Sequence, residues 1–321
     1  MTEPAADRGL TLAEVAARDA TRLVALVLGV FDGVHRGHRV LLSAVREAAA
    51  ARGARPVALV FDPPPIEVIR PGQRVRRLAP LSENLVRIQE AGVEPVALRF
   101  DASVRDLPPE AFLEALTPGL RPAAIVMTAD TAFGRDRAGT PSRLAEIGAS
   151  RGFEVVLVDP EVDDGPISST RIRRALVEGD IPAATRLLGR RPSLSGEVVR
   201  GDGRGQGLGY PTANLAFQYR PALPALGIYA GLVAGTAGAP GAPGATGALV
   251  SVGRRPTFHD QGDVVVEANL LDWSGELYGQ HLRIELVGRL RDERWFESAA
   301  ELTAQMRRDE AAARAALAGI V

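Results

Sequence analysis

Along the first half of the chain, short apolar runs alternate with stretches of helical spacing. Leu23–Leu28 is a β-rich apolar run, and apolar positions then recur at helical spacing from His38 to Ala50. A second run, Pro56–Phe61, ends in the proline cluster Pro63–Pro65. Ser82–Ala91 reads as a helix, Pro95–Arg99 as a strand and Glu110–Leu116 as a helix. Ala123–Met127 reads as a buried strand, Pro141–Arg151 as a helix and Phe153–Val158 as a strand. Strands alternating with helices predict parallel βαβ units, wound into a doubly wound α/β sheet. Two short helical patterns follow, Thr170–Glu178 and Ile181–Leu188.

After Leu188 the texture changes, with Gly189–Pro192 as a linker. Strand-like runs then come in close succession: Ser195–Arg200, Thr212–Ala216, Gly227–Val233, Ala248–Val252, Val264–Leu271 and Leu282–Val287. Glycine and proline punctuate them, which predicts an antiparallel barrel or sandwich. The segment Gly235–Gly247, rich in Ala, Gly and Pro, reads as a flexible hairpin loop, and Ser298–Leu317 as a closing helix. Two domains are therefore expected, residues 1–188 and 189–321. A length of 321 residues is enough for each to bury its own core.

Composition removes several chemistries. There is no cysteine, which excludes disulfides, thiolate catalysis and cysteine zinc sites. All 38 Lys+Arg residues are arginine. A P-loop needs a lysine on the β/γ-phosphates, and so does a protein-kinase ATP site. Phosphate chemistry here must use arginine, histidine, backbone amides and metal. The net charge of −1, without a basic block, argues against a nucleic-acid partner. No run reaches the ~20 apolar residues that span a bilayer. Met1–Asp19 carries acids and no apolar stretch, so a cytoplasmic location without a membrane partner is expected.

The first candidate constellation is GVFDGVHRGH, Gly29 to His38, where the first strand should give way to the first helix. In doubly wound sheets ligands bind outside the carboxyl ends of the strands. His35 and His38, at i and i+3, share one face of a helix start, and Gly33 and Gly37 permit a tight turn close to a phosphate. A helix N-terminus adds free N–H groups and a positive dipole end. Two imidazoles there can stabilise charge building on a pyrophosphate leaving group. The competing reading is a glycine-rich turn with two surface histidines.

The second is ISSTRIR, Ile167 to Arg173, at the start of a predicted helix. Ser168, Ser169 and Thr170 are natural N-caps, and Arg171 can fork onto a phosphate. Alone it could be any capped surface helix. With the histidine motif at the other end of the same domain, it resembles the HxGH nucleotidyltransferase superfamily.

The third is GDGRGQGLGYPTAN, Gly201 to Asn214. Its alternating glycines never satisfy GxGxxG, so it is no dinucleotide fingerprint. Thr212 and Asn214 point the same way on a strand. Their hydroxyl and amide oxygens are hard ligands suited to Mg²⁺ bridging ATP phosphates. A glycine-rich hairpin with polar strand residues is the plainer alternative. Glu267 ends the apolar run Val264–Val266, and a carboxylate inside a barrel strand is either partnered, as in a rim salt bridge, or a base for a hydroxyl substrate.

These three blocks, in this order, resemble the bacterial bifunctional riboflavin kinase/FAD synthetase family over about Leu23 to Arg308. Phe133-Gly134 with Gly139, Gly253–Phe258, Leu277-Tyr278-Gly279, Leu290–Glu293 and Gln305–Asp309 extend the match. The resemblance implies an HxGH-type adenylyltransferase domain followed by an antiparallel β-barrel flavokinase domain with a C-terminal helix. The barrel would phosphorylate riboflavin to FMN with ATP. The first domain would transfer AMP from a second ATP onto FMN, giving FAD and pyrophosphate. His35 and His38 would be catalytic, with Glu267 as the kinase base. Nucleotide and phosphates would be held by Gly29, Phe31, Asp32, Gly33, Asp130, Ser169, Thr170, Arg171, Gly201, Gly203, Arg204, Gly209 and Pro211. Flavin would meet Phe258, Arg291 and Glu293, and Mg²⁺ would meet Thr212 and Asn214.

The first half departs from that family. Pro64 stands where the family has histidine, and Thr128, Thr131 and Ala132 replace a glycine, an aromatic and a larger side chain. In the barrel, Gln206 replaces a basic residue, and Asn269 stands where an aromatic, His or Ser is common. An alternative is therefore a riboflavin kinase whose first domain is weakened or has a changed substrate.

Overall fold

A computed structural model describes residues 9–18, 23–201, 212–234, 245–254 and 264–320. The chain divides into two compact units, residues 1–75 with 80–168, and residues 76–79 with 169–321.

In the first unit, β1 (Val24–Gly29), β2 (Arg55–Asp62), β3 (Glu94–Arg99), β4 (Pro122–Met127) and β5 (Glu154–Leu157) form one sheet in the order β3-β2-β1-β4-β5, every pairing parallel. Successive side chains point to opposite faces, and both faces are covered. Leu26, Leu59 and Leu98 meet Phe112 and Leu116 of α6 (Pro109–Leu116) and Leu144 of α7 (Pro141–Arg151). Ala25, Val27, Ala58 and Val60 meet Leu42 and Val45 of α2 (Arg36–Ala50) and Ile88 of α4 (Leu81–Glu90). Burying one such Val or Leu contributes about 1.5–3 kcal/mol, against about 1 for a helix cap, so the apolar pattern decides this fold. Three short helices were not read from the sequence: α1 (Leu12–Ala16), α3 (Pro65–Ile69) and α5 (Ala102–Arg105). α1 opens with a capping box, Thr11 with Glu14, and the residue before it, Leu10, bridges to Leu98 on the edge strand β3. The order reverses at β1, which has β2 on one side and β4 on the other. The carboxyl ends of β1 and β4 therefore flank the crevice where such sheets bind ligands.

In the second unit, β6 (Ser193–Val199), β7 (Ala213–Ala216), β8 (Gly227–Ala234), β9 (Thr246–Arg254), β10 (Val264–Leu270) and β11 (His281–Arg291) close into an antiparallel barrel in the order β10-β7-β6-β11-β8-β9. Closure removes the open edges a sandwich would carry, so the structure selects the barrel of the two expected architectures. α10 (Ala299–Leu317) lies outside, with Ala313 and Leu317 packed on Ala230, Leu232, Leu249 and Leu271. α8 (Ser169–Glu178) and α9 (Ile181–Leu188), read from sequence as the end of the first domain, cluster with this unit. The carbonyl of Leu176 accepts from the Ala225 amide at 2.9 Å. The texture of the sequence changes at Leu188, while the compact units part between Ser168 and Ser169. Residues 76–79 also belong here: the Arg77 amide donates to Arg220, and its carbonyl accepts from Ala222. No helix among the described residues is long and apolar enough to cross a membrane.

Candidate active sites in the two units

β1 runs from Gly29 into a loop with unusual backbone. Phe31 (φ 52°) and Val34 (φ 40°) hold positive φ beside Gly33 (φ 78°). Non-glycine residues adopt this region rarely, and such strain concentrates at functional sites. Phe31 and Asp32 are buried, and the Gly33 amide donates to Oδ1 of buried Asn84 at 3.0 Å. α4 thus pins the loop from below.

His35 is the N-cap of α2, its Nδ1 accepting from the His38 amide at 3.4 Å. An accepting Nδ1 leaves the ring proton of the neutral imidazole on Nε2, as a donor. The His38 ring stacks on the His35 ring with centroids 3.7 Å apart and planes 18° apart, and Phe31 lies 5.1 Å from His38. The two imidazoles therefore form one stacked unit at the end of β1. A Cβ on Gly37 would lie 3.3 Å from His35 Nδ1 and from the Ile167 carbonyl, so the backbone of the motif fits closely there.

Arg36, between the histidines, is a residue the sequence reading left out. Its Nε bonds Glu161 at 2.8 Å, its Nη2 also meets Glu161, and its Nη1 bonds Asp163 at 3.0 Å. These bonds, Glu161 first, hold the guanidinium pKa above its ordinary value. The only sequence signal was a distant acidic run, Asp159–Asp164.

At the end of β4, the Thr128 hydroxyl meets Asp130 Oδ1 at 2.5 Å and the Thr131 hydroxyl at 2.6 Å. Arg137 donates to the Asp130 carbonyl at 3.0 Å. The departures Thr128 and Thr131 thus knit their own turn and engage Asp130. Pro64 is the N-cap residue of α3. Ser169, Thr170 and Arg171 open α8 in the second unit, so the structure does not place them in the same unit as the histidine pair.

In the barrel, Asn214 on β7 stands opposite Glu267 on β10, and Glu267 stands opposite Ser251 on β9. Thr212, Asn214 and Gly201 line one cavity of about 220 Å³ with Leu270, Trp273 and Tyr278. Asn214 is buried, and its Oδ1 has no hydrogen-bond partner. A Cβ on Gly201 would fall 2.3 Å from Asn214 Nδ2, so only glycine lets the chain pass over that amide. Glu267 is half-buried and does not line the cavity; it faces Asn214 across the ladder. Glu293 reaches the same sheet from elsewhere: a Cβ on Gly253 would lie 2.5 Å from its Oε1.

Arg291 is held by α10. Its Nε and Nη2 bond the two carboxylate oxygens of buried Asp309 at 2.8 and 2.6 Å. Gln305 Nε2 donates to the same carboxylate at 2.7 Å. Gly203, Arg204, Gly209, Pro211 and Phe258, and the departure Gln206, lie outside the described residues.

Two family models match the chain: FAD synthetase over residues 17–171 and riboflavin kinase over residues 188–317. The bifunctional riboflavin kinase/FMN adenylyltransferase of Escherichia coli K12 is 36% identical over 292 residues, covering 90% of this chain and 91% of that protein. The proteins of the same description from Listeria monocytogenes and Bacillus subtilis are 33% and 31% identical, each match covering about nine-tenths of both chains. A crystal structure described as a macrolide-efflux protein from Streptococcus pneumoniae has a TM-score of 0.84 and 30% identity, covering 95% of this chain and 98% of that one. An α/β unit with a stacked histidine pair at its switch point is thus followed by a closed barrel with a buried, unpartnered amide oxygen, and the matches to the relatives cover about nine-tenths of this chain. The chain belongs to the bifunctional riboflavin kinase/FMN adenylyltransferase family.

Proposed function

We propose that the barrel phosphorylates riboflavin with ATP, and that the α/β domain adenylylates the resulting FMN with a second ATP. On this reading the kinase corresponds to residues 189–321 and the adenylyltransferase to residues 1–188. The observation that carries it is the Asn214–Glu267 pair beside a cavity that Asn214 lines, with Asn214 Oδ1 buried and without a partner. A buried acceptor left alone costs about 1–3 kcal/mol, so it is retained for a bound ligand. An amide oxygen and the Thr212 hydroxyl are hard donors, which suits Mg²⁺ carrying ATP phosphates. Thr212 and Asn214 would hold that ion, which when bound neutralises charge on the phosphates.

In the kinase, Glu267 accepts the proton of the ribityl 5′-hydroxyl as its oxygen bonds the γ-phosphorus and the bond to ADP breaks. Gly201 lets the chain pass over the Asn214 amide, beside which the nucleotide phosphates would lie. Gly203, Arg204, Gly209 and Pro211 would complete the nucleotide loop, and Phe258 and Glu293 would border the flavin. Arg291 would serve the flavin site through the helix that Asp309 anchors.

In the adenylyltransferase, a phosphate oxygen of FMN attacks the α-phosphorus of ATP and pyrophosphate leaves. His35 Nε2–H and His38 donate hydrogen bonds to the phosphates, stabilising the charge that builds on the leaving group. Gly29, Phe31, Asp32, Gly33 and Asp130 shape the nucleotide end of the crevice, and Ser169, Thr170 and Arg171 supply further phosphate donors. A riboflavin kinase whose first domain is weakened or has a changed substrate is disfavoured: the FAD synthetase model matches residues 17–171, and the relatives are described as bifunctional. The proposed location is the cytoplasm.

The test is a chromatographic time course from riboflavin, ATP and Mg²⁺. FMN rises first and FAD follows. Absence of FMN refutes the kinase, and FMN without FAD refutes the adenylyltransferase.

A further inference from the structure

We propose that Arg36 is a positioning residue for adenylyl transfer: it staples the acidic hairpin of residues 161–167 to the first turn of α2, and so fixes Ile167 and Ser168 beside the histidine pair. This role rests on the adenylyltransferase reading of the first unit.

A cation in the first turn of a helix opposes the helix dipole, so Arg36 is not there to stabilise α2. Standing between two phosphate-directed histidines, it invites a phosphate-binding role. The structure points elsewhere. Three of its nitrogens are engaged by carboxylates, Nε and Nη2 by Glu161 and Nη1 by Asp163.

The hairpin it holds is a unit in itself. The Ile167 amide donates to the Glu161 carbonyl at 3.1 Å, and the Asp163 amide to the Gly165 carbonyl at 2.9 Å. Val162 and Pro166 form an antiparallel bridge, and Asp164 (φ 49°) and Gly165 (φ 116°) make the turn. Glu161 and Asp163, two apart, both reach Arg36. The other arm ends at Ile167, which is buried and whose carbonyl lies against Gly37. Both arms thus meet consecutive residues of the same helical turn, Arg36 and Gly37. A hairpin fixed at two points cannot slide or rotate along α2, and Ser168 follows immediately.

The Arg36 pairs are part-buried at the surface of the first unit, so breaking them costs modest stability and misplaces Ile167 and Ser168. Misplacement of about 1 Å suffices to cost on the order of a hundredfold in a group transfer.

Three full-length variants test this: Arg36→Ala, Arg36→Lys, and Glu161→Gln combined with Asp163→Asn. Each is assayed for FAD from FMN and ATP, and for FMN from riboflavin as a control that the barrel is unaffected; far-UV circular dichroism and thermal unfolding check that the first unit is folded. Arg36→Ala is expected to raise the KM for ATP in FAD formation about tenfold, with kinase activity unchanged. Lysine keeps the charge but not the fork, so it restores the KM in part. The double carboxylate variant reproduces the alanine effect although it leaves the positive charge in place. If Arg36 instead bound phosphate, freeing it from its carboxylates would lower the KM, and that result overturns the proposal. So does an unchanged KM in Arg36→Ala. Amide hydrogen exchange at Asp163 and Ile167 quickens in the alanine and carboxylate variants if the clamp exists; unchanged exchange also overturns it. A wild-type chain that forms no FAD defeats the adenylyltransferase reading and with it this role, while exchange still decides whether Arg36 holds the hairpin.

Discussion

Glu267 and Asn214 stand directly opposite each other in the antiparallel ladder of β10 and β7. Cβ atoms so placed are about 5 Å apart, which sets a carboxylate beside an amide whose oxygen has no partner. The base and the metal-phosphate ligand of the proposed kinase are thus fixed by one rung of one barrel.

That arrangement trades stability for binding. Asn214→Leu replaces the lone buried acceptor with an apolar group of similar size. The expected result is a gain of about 1–2 kcal/mol in the absence of nucleotide, seen as a raised Tm, together with loss of FMN formation. Mg²⁺ with ATP raises the Tm of the wild-type barrel and not that of the variant. A variant that keeps kinase activity removes Asn214 from the site.

The stacked histidines can be separated from their structural duty. His35→Asn keeps a side-chain acceptor at the N-cap of α2, whereas His35→Ala loses a cap worth about 1 kcal/mol. With His38→Ala added, His35→Asn should lower FAD formation by about 10²-fold or more and leave FMN formation intact. Pyrophosphate release from FMN and ATP gives the first rate. A normal rate would return the pair to a purely structural role.

The Arg291–Asp309 pair anchors α10 to β11, and Asp309 is buried. Asp309→Ala strands the guanidinium and should cost on the order of 3 kcal/mol in denaturant unfolding of the barrel. The exposed Asp272–Arg314 pair, farther along the same helix, should matter much less. If Arg291→Ala raised the KM for riboflavin without loss of stability, Arg291 would instead touch the flavin directly.

Tyr229 gives the barrel an alkaline limit. It is buried, and its hydroxyl donates to the Ala225 carbonyl. Burial pushes its phenol pKa up, more than nearby Arg289 pulls it down. A group that holds its proton more tightly when folded contributes stability that is full below the unfolded pKa, about 10, and lost as pH rises through the folded value. Barrel stability should therefore fall as pH climbs above about 10, and Tyr229→Phe should flatten that fall. An unchanged slope in the variant would contradict this.

Much of this molecule was legible because periodicity is local. The alternation of apolar runs with helical spacing gave every strand of both sheets to within a few residues, and α7 and α9 to the residue. α1 carried a readable signal, Thr11 with Glu14 as a capping box, but is only five residues long. Arg36 and Arg291 were harder. Their carboxylates lie 125 and 18 residues away, and no local pattern reports a tertiary ion pair. α8 and α9 were visible as amphipathic helices, yet a helical pattern does not say which core takes its apolar face. Thr128 fills a position where the family has glycine, and Thr131 stands in place of an aromatic. Their hydroxyls instead bond each other, and that of Thr128 also bonds Asp130.

The central claim is that one chain carries two separate phosphate chemistries, and Glu267→Gln tests it most directly. Given riboflavin and ATP, the variant should form FMN about 10²-fold or more slowly than the wild type. Given FMN and ATP, it should form FAD at the wild-type rate. FMN formation at an undiminished rate, or loss of both activities together, would contradict the account.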